Sequence, residues 1–242
     1  LNMRALILSD IHANANALAS VLAAAGTVDA IWCLGDVVGY GPDPNECIQQ
    51  LRDLPNLTCL QGNHDAAAIG HLPLEGFNTE ARQSIEWLRD ALTADSLAFL
   101  ETLKPRTEVN GVTLAHASPR QPMLEYLLDT FSAGDNFNHF ESNFCFVGHT
   151  HVPVVFTQGE NTVDLEVPVA NTRITLKPRA IVNPGSVGQP RDRDPRAAFA
   201  IFDDQTLTWD YRRVEYDIPD VQSRMRALGL PERHVTRLTG GW

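Results

Sequence analysis

The chain has 242 residues, 43% of them hydrophobic and 20% charged, with a mean hydropathy of −0.17, a composition that excludes a disordered chain and supplies a substantial core. The formal net charge of −11 repels polyanions and argues against an extended nucleic-acid groove, and no apolar run approaches the roughly 20 residues of a membrane helix. Cys33, Cys47, Cys59 and Cys145 are scattered without a C-x-x-C pair, so reduced structural thiols and a cytoplasmic location are expected.

Met3 reads as a candidate start, with Leu1 and Asn2 upstream of it, and no basic-then-apolar leader precedes the first strand pattern. Residues 4–8 and 29–34 read as buried strands with a helix over 13–25 between them, followed by a helix over 44–51 and a strand over 57–60. Such a βαβαβ unit gives a parallel sheet with right-handed crossovers. Residues 77–103 read as helical, broken near 93–95. The pattern then changes to hairpins. Strands over 107–109 and 112–115 flank Asn110 and Gly111, a two-residue turn signal. Further strands are expected over 144–147, 152–157, 173–176, 180–182, 197–202 and 207–214, and a closing helix near 221–228. A second sheet follows, and the whole is expected to be a four-layer α/β/β/α sandwich of two mixed sheets, one domain over residues 1–242.

Polar groups with metal-binding chemistry sit at the ends of these strands. Asp10 and His12 follow the first strand, Gly35 and Asp36 the second, and Gly62, Asn63, His64 and Asp65 the third. Ligand sites in open α/β sheets lie at that edge. Each turn alone is explained by ordinary turn residues or helix caps, but that reading gives no reason for His12 and His64. His116 ends the strand over 112–115, and Gly148, His149, Thr150 and His151 end the strand over 144–147. Imidazole suits zinc, iron, nickel and manganese. Of the eight histidines only His71, His139 and His234 fall outside these blocks. With acids outnumbering bases 30 to 19, positive charge at such a cluster would come from bound metal ions.

In order, these blocks are D-x-H, G-D, G-N-H-[DE], a lone H and G-H-x-H, and as a set the sequence resembles the calcineurin-like metallophosphoesterases. The block from Asn183 to Val187 is similar to one in the small prokaryotic phosphodiesterases of that superfamily. The resemblance implies two divalent ions (Mn, Fe, Zn or Ni). Asp10, His12 and His151 would hold one; Asn63, His116 and His149 the other, with Asp36 as the bridge. It implies hydrolysis by a hydroxide held between the ions, with His64 beside the scissile bond to stabilise the phosphoryl group or protonate the leaving oxygen. Two metals roughly 3.5–4 Å apart activate water and offset developing charge.

The protein phosphatases of that superfamily carry G-D-x-V-D-R-G, whereas Gly39 and Tyr40 stand here in place of the second aspartate and the arginine. The group that orients His64 is therefore open, with Asp65 a candidate loop support. Tyr40 is a candidate to stack on a substrate base, although the 39–44 segment also reads as a helix-entry turn; Arg191 is a candidate phosphate ligand, although an Asp/Arg-rich turn also forms surface ion pairs. The expected substrate is a small phosphodiester or nucleotide anhydride. The alternatives are a phosphomonoesterase, protein phosphatases included, and a non-catalytic scaffold of the same fold, the latter disfavoured by the intact ligand set.

Overall fold

The computed structural model describes residues 3–242; Leu1 and Asn2 lie outside them. In chain order, β1 (Arg4–Leu8), α1 (Ala15–Ala25), β2 (Ala30–Cys33), α2 (Pro44–Arg52) and β3 (Leu57–Cys59) form the expected βαβαβ unit. Next come α3 (Asn63–Ala68), α4 (Thr79–Ala91), α5 (Ala94–Thr102), β4 (Arg106–Val109), β5 (Val112–Ala115), α6 (Thr130–Asn136) and β6 (Phe144–Phe146). The chain continues through β7 (Val154–Gln158), β8 (Val163–Glu166), β9 (Thr172–Thr175), β10 (Ala180–Asn183), β11 (Ala197–Asp203) and β12 (Thr208–Val214). It closes with α7 (Ile218–Ala227) and α8 (Glu232–Gly240).

Two six-stranded mixed sheets result, in the orders β3-β2-β1-β11-β12-β9 and β4-β5-β6-β10-β7-β8. β1, β2 and β3 run parallel, and β11 joins β1 antiparallel. The late hairpin strands thus do not all build the second sheet: β9, β11 and β12 return to the first.

Strand alternation explains the layers. Ala5 and Ile7 of β1 point into the core between the sheets with Trp32, Phe146, Val182, Phe202 and Trp209. Leu6 and Leu8 point the other way, onto Leu18 and Val21 of α1 and Ile48 and Leu51 of α2. Cys145 and Ile181 cover the far side of the second sheet with Ala133, Phe137 and Phe140. Strands buried on both faces read as continuous apolar runs, which is why they were legible. The four-layer α/β/β/α arrangement is the expected one.

Differences fall at polar or short segments. α1 begins at Ala15, two residues late, because Asp10, His12 and Ala13 have φ of 53°, 48° and 52°, and Asn14 caps the helix by accepting from the Ala17 amide. The helical stretch breaks where expected, with Leu92 extended and the Thr93 side chain accepting from Ser96 N. The closing helix, α7, starts three residues earlier than expected. β8, α3, α6 and α8 were not anticipated; β8 is largely exposed and α3 has only six residues.

Candidate metal centre and adjoining cleft

The loops after β1, β2, β3, β5 and β6 converge at one edge. All seven expected ligands, Asp10, His12, Asp36, Asn63, His116, His149 and His151, meet there, each at most 5% exposed. Two groups form, Asp10 with His12, Asp36 and His151, and Asp36 with His116 and His149, with ligand atoms in each group within 4.8 Å of one another. Asp36 belongs to both. Its Oδ2 lies 3.6 Å from His12 Nε2 and 3.6 Å from His116 Nε2. Asn63 Oδ1 is 3.1 Å from His116 Nε2, completing the second group.

The chemistry of this donor set fits cations. Nδ1 of His12 donates to the Val38 carbonyl (3.2 Å), Nδ1 of His116 to Leu34 O (2.9 Å) and Nδ1 of His151 to Gln189 O (2.6 Å). A carbonyl only accepts, so each Nδ1 carries the proton and each Nε2 keeps its lone pair. His12 Nε2 and His151 Nε2 then face one another at 3.0 Å, lone pair against lone pair. Burial holds both imidazoles well below their ordinary range, so protonation does not relieve the contact. His149 Nε2 is buried without any partner. Burial likewise pushes Asp10 up to about 7, and raises Asp36 through burial first and Asp65 second. A cation between these groups satisfies lone pairs and carboxylates together.

The backbone is committed to this arrangement. Asp10, His12, Asp36, His149 and His151 all have φ between 48° and 65°, a left-handed conformation that costs about 1–3 kcal/mol per residue and persists only where the surroundings impose it. They do so through hydrogen bonds. The amides of Asp10, His12 and Ala13 donate to the carbonyls of Gly35, Asp36 and Val37 at 2.9–3.0 Å. The Asp10 carboxylate accepts from His149 N at 3.1 Å, and Asp36 Oδ1 accepts from His64 N at 2.9 Å. The block from Asn183 to Val187 acts as a brace. Asn183 Nδ2 donates to Gly148 O (2.7 Å), and the Ser186 hydroxyl donates to Asp10 O (2.8 Å). Asp65 supports the loops, as its carboxylate accepts from Gly62 N (2.8 Å) and Val38 N (3.0 Å).

Gly62 carries a testable consequence. A Cβ there would stand 2.0 Å from Asp36 Oδ1 and 2.3 Å from Asp36 N, while its φ of −92° suits alanine. Gly62→Ala should therefore act only through the clash, lowering metal affinity by about 10- to 100-fold and stability by about 1–3 kcal/mol. Metal titration and thermal melts check this; wild-type affinity would mean that Asp36 is not held where the structure shows it.

His64 is 4% exposed and its Nδ1 has no partner; burial first, and Arg191 second, hold the imidazole well below its ordinary range. The ring is wedged between Tyr40 (4.4 Å between centroids), His12 (4.9 Å) and Phe77 (5.2 Å). Position 39 has no room for an orienting aspartate, because a Cβ there would lie 2.6 Å from His64 Nδ1. Packing orients this histidine. Tyr40 is only 8% exposed, with His12 at 4.6 Å and His234 at 4.5 Å from its ring centroid, and Arg191 Nη2 is 3.5 Å from its hydroxyl.

Beside His64, Asn63 and His149 opens a cleft of about 360 Å³ lined also by Tyr40, Leu72, Pro73, Phe77, Leu124 and Tyr126. Tyr126, 51% exposed, lies against His149 with ring centroids 4.2 Å apart and the planes tilted by 41°. Phe77, expected to open the helical stretch, instead lies in extended backbone before α4, and no motif marks it, Leu124 or Tyr126 as part of a site.

The sequence profile of the calcineurin-like phosphoesterase superfamily domain matches residues 3–206. The chain belongs to the calcineurin-like phosphoesterase superfamily. The crystal structure of a metallophosphoesterase from Sphaerobacter thermophilus is 46% identical, has a TM-score of 0.92 and covers 100% of both chains. The uncharacterized protein MJ0912 of Methanocaldococcus jannaschii is 36% identical over 233 residues, 93% of each chain. The symmetrical bis(5'-nucleosyl)-tetraphosphatase of Pseudomonas putida strain W619 is 32% identical over 97 residues, 37% of this chain and 32% of that protein. As a member of this superfamily the chain is a metal-dependent phosphoesterase, with clustered Asp and His groups that can bind metal. No helix among the described residues is long and apolar enough to cross a membrane.

Proposed function

We propose that this phosphoesterase hydrolyses small nucleotide-like phosphodiesters or nucleotide anhydrides, in the cytoplasm, at a centre of two divalent ions. The observation that carries the reading is the cleft: its aromatic and apolar wall abuts Asn63, His64 and His149, which suits a base next to a phosphate, and its volume suits one small ligand. The partial likeness to a bis(5'-nucleosyl)-tetraphosphatase supports the anhydride arm.

Asp10, His12 and His151 would hold one ion and Asn63, His116 and His149 the other, with Asp36 shared; Mn²⁺, Fe, Zn²⁺ and Ni²⁺ all suit this carboxylate, amide and imidazole set. Ions so held supply positive charge for the phosphoryl oxygens and lower the pKa of water. The rest falls to the chain. His64, fixed by its packed neighbours, donates to a phosphoryl or leaving oxygen. Arg191 offers a planar pair of donors to a phosphate, with Tyr40 bordering it through its hydroxyl. Phe77, Leu124 and Tyr126 hold the base and exclude water, a stack contributing about 1–3 kcal/mol.

The test is a panel of p-nitrophenyl phosphate, bis-p-nitrophenyl phosphate, cyclic nucleotides and bis(5'-nucleosyl) tetraphosphate on metal-reconstituted protein. The best diester or anhydride should exceed the monoester in kcat/KM by at least about tenfold, a difference in transition-state binding of about 1.4 kcal/mol. The reverse order would make the protein a phosphomonoesterase.

A further inference from the structure

Two guanidinium groups, those of Arg191 and Arg237, converge on one amide without a side-chain carboxylate within 4 Å of either among the described residues. Arg191 Nη2 donates to Gln189 Oε1 at 2.9 Å and Arg237 Nη1, from α8, donates to the same oxygen at 3.3 Å. Neither forms an ion pair among the described residues, although acids outnumber bases 30 to 19 and nearby Arg196, Arg213 and Arg224 each have a carboxylate. Arg233, one turn earlier on α8, lies 3.8 Å from Glu80. Arg191 Nε is buried with no acceptor. Two positive charges on one neutral amide oxygen repel each other, and an anion accepting from both forks relieves that repulsion. Of the two, Arg191 also stands close to the proposed reacting end. The Arg191 guanidinium lies 5.8 Å from the Tyr40 ring centroid, and that ring is 4.4 Å from His64.

We propose that Arg191 and Arg237, gathered by Gln189, form an anion subsite for the phosphate next to the scissile one, so that the enzyme prefers phosphoanhydride chains to simple diesters. Arg237 lies beyond residue 206, where the superfamily profile ends, so α8 adds one fork of the subsite to Gln189 and Arg191, which lie within the profile. The inference rests on the nucleotide reading for its substrate, but the subsite itself is probed without nucleotides.

Inorganic phosphate and pyrophosphate serve as competitive inhibitors of whichever p-nitrophenyl ester the metal-loaded enzyme turns over, at fixed free metal. Pyrophosphate should bind the wild type at least about tenfold better than phosphate, the scale of added charge-assisted hydrogen bonds. Arg237→Gln should bring that ratio to within about twofold of unity, Arg237→Lys should restore part of it, and Gln189→Glu should abolish it by giving both guanidiniums an internal carboxylate. Arg237 also ties α8 to the chain end, its Nε donating to Trp242 O at 2.6 Å. A purely structural role would lower the melting temperature of Arg237→Gln and leave the ratio intact in Gln189→Glu, and an unchanged ratio in both variants overturns the subsite. If nucleotide anhydrides are not hydrolysed, the nucleotide reading fails while the inhibitor ratio still decides the subsite.

Discussion

Asp36→Asn is expected to lose both metals at working concentrations and to reduce kcat/KM by at least about a thousandfold. The geometry gives the reason. Asp36 Oδ2 is equidistant, at 3.6 Å, from Nε2 of His12 and of His116, while Oδ1 accepts from His64 N at 2.9 Å. An asparagine has one oxygen to serve both tasks. With its amide nitrogen inward, it aims a donor where cations should sit; with the nitrogen outward, it sets donor against donor at the His64 amide. If Asp36 is shared as proposed, its loss weakens both sites, and each tenfold in affinity is about 1.4 kcal/mol. Stability separates this from misfolding. In metal-free protein the substitution removes a buried carboxylate that burial already disfavours, so the melting temperature should hold or rise. The wild type should gain about 2.7 kcal/mol per site at a metal concentration a hundred times Kd, and the variant should not. Elemental analysis and melts with and without metal read both effects; a variant that keeps two ions at wild-type affinity removes Asp36 from its shared role.

His64→Ala should retain metal and lose roughly 10²- to 10⁴-fold in kcat, the range for one positioned proton-transfer group. His64 enters the site through its backbone amide on Asp36 and its ring on Tyr40, His12 and Phe77. Truncation to alanine keeps the first contact, which is why metal content should survive. The leaving-group series decides the role. Alkyl esters, which need protonation, should lose more than p-nitrophenyl esters, which do not. Equal losses would assign His64 to hydrogen bonding a phosphoryl oxygen throughout.

The sandwich was legible because its central strands are apolar on both faces: Leu6 and Ile7 of β1 face different cores, and each reads as buried. Which sheet a strand joins was not. β9, β11 and β12 carry the pattern of hairpin strands, and only long-range pairing of β11 with β1 assigns them to the first sheet. The seven residues that meet at the centre stand out in the sequence because acids and imidazoles follow strand ends in a fixed order, a pattern ordinary turns do not need. The groups that shape the cleft lack such a signal. Tyr126 and Phe77 sit on irregular segments, and Arg237 lies more than 40 residues along the chain from Gln189, which it meets at 3.3 Å. Tyr40, four residues past Asp36, lies beside the centre and lines the cleft, with its ring packed among His12, His64 and His234, while Tyr126 is the more exposed aromatic of the cleft wall.

A paired metal centre on these seven side chains would scatter anomalously in crystals grown with Mn²⁺. Two peaks per chain are expected, one among Asp10, His12, Asp36 and His151 and one among Asp36, Asn63, His116 and His149. A single peak, or ions bound away from Asp36, would contradict it.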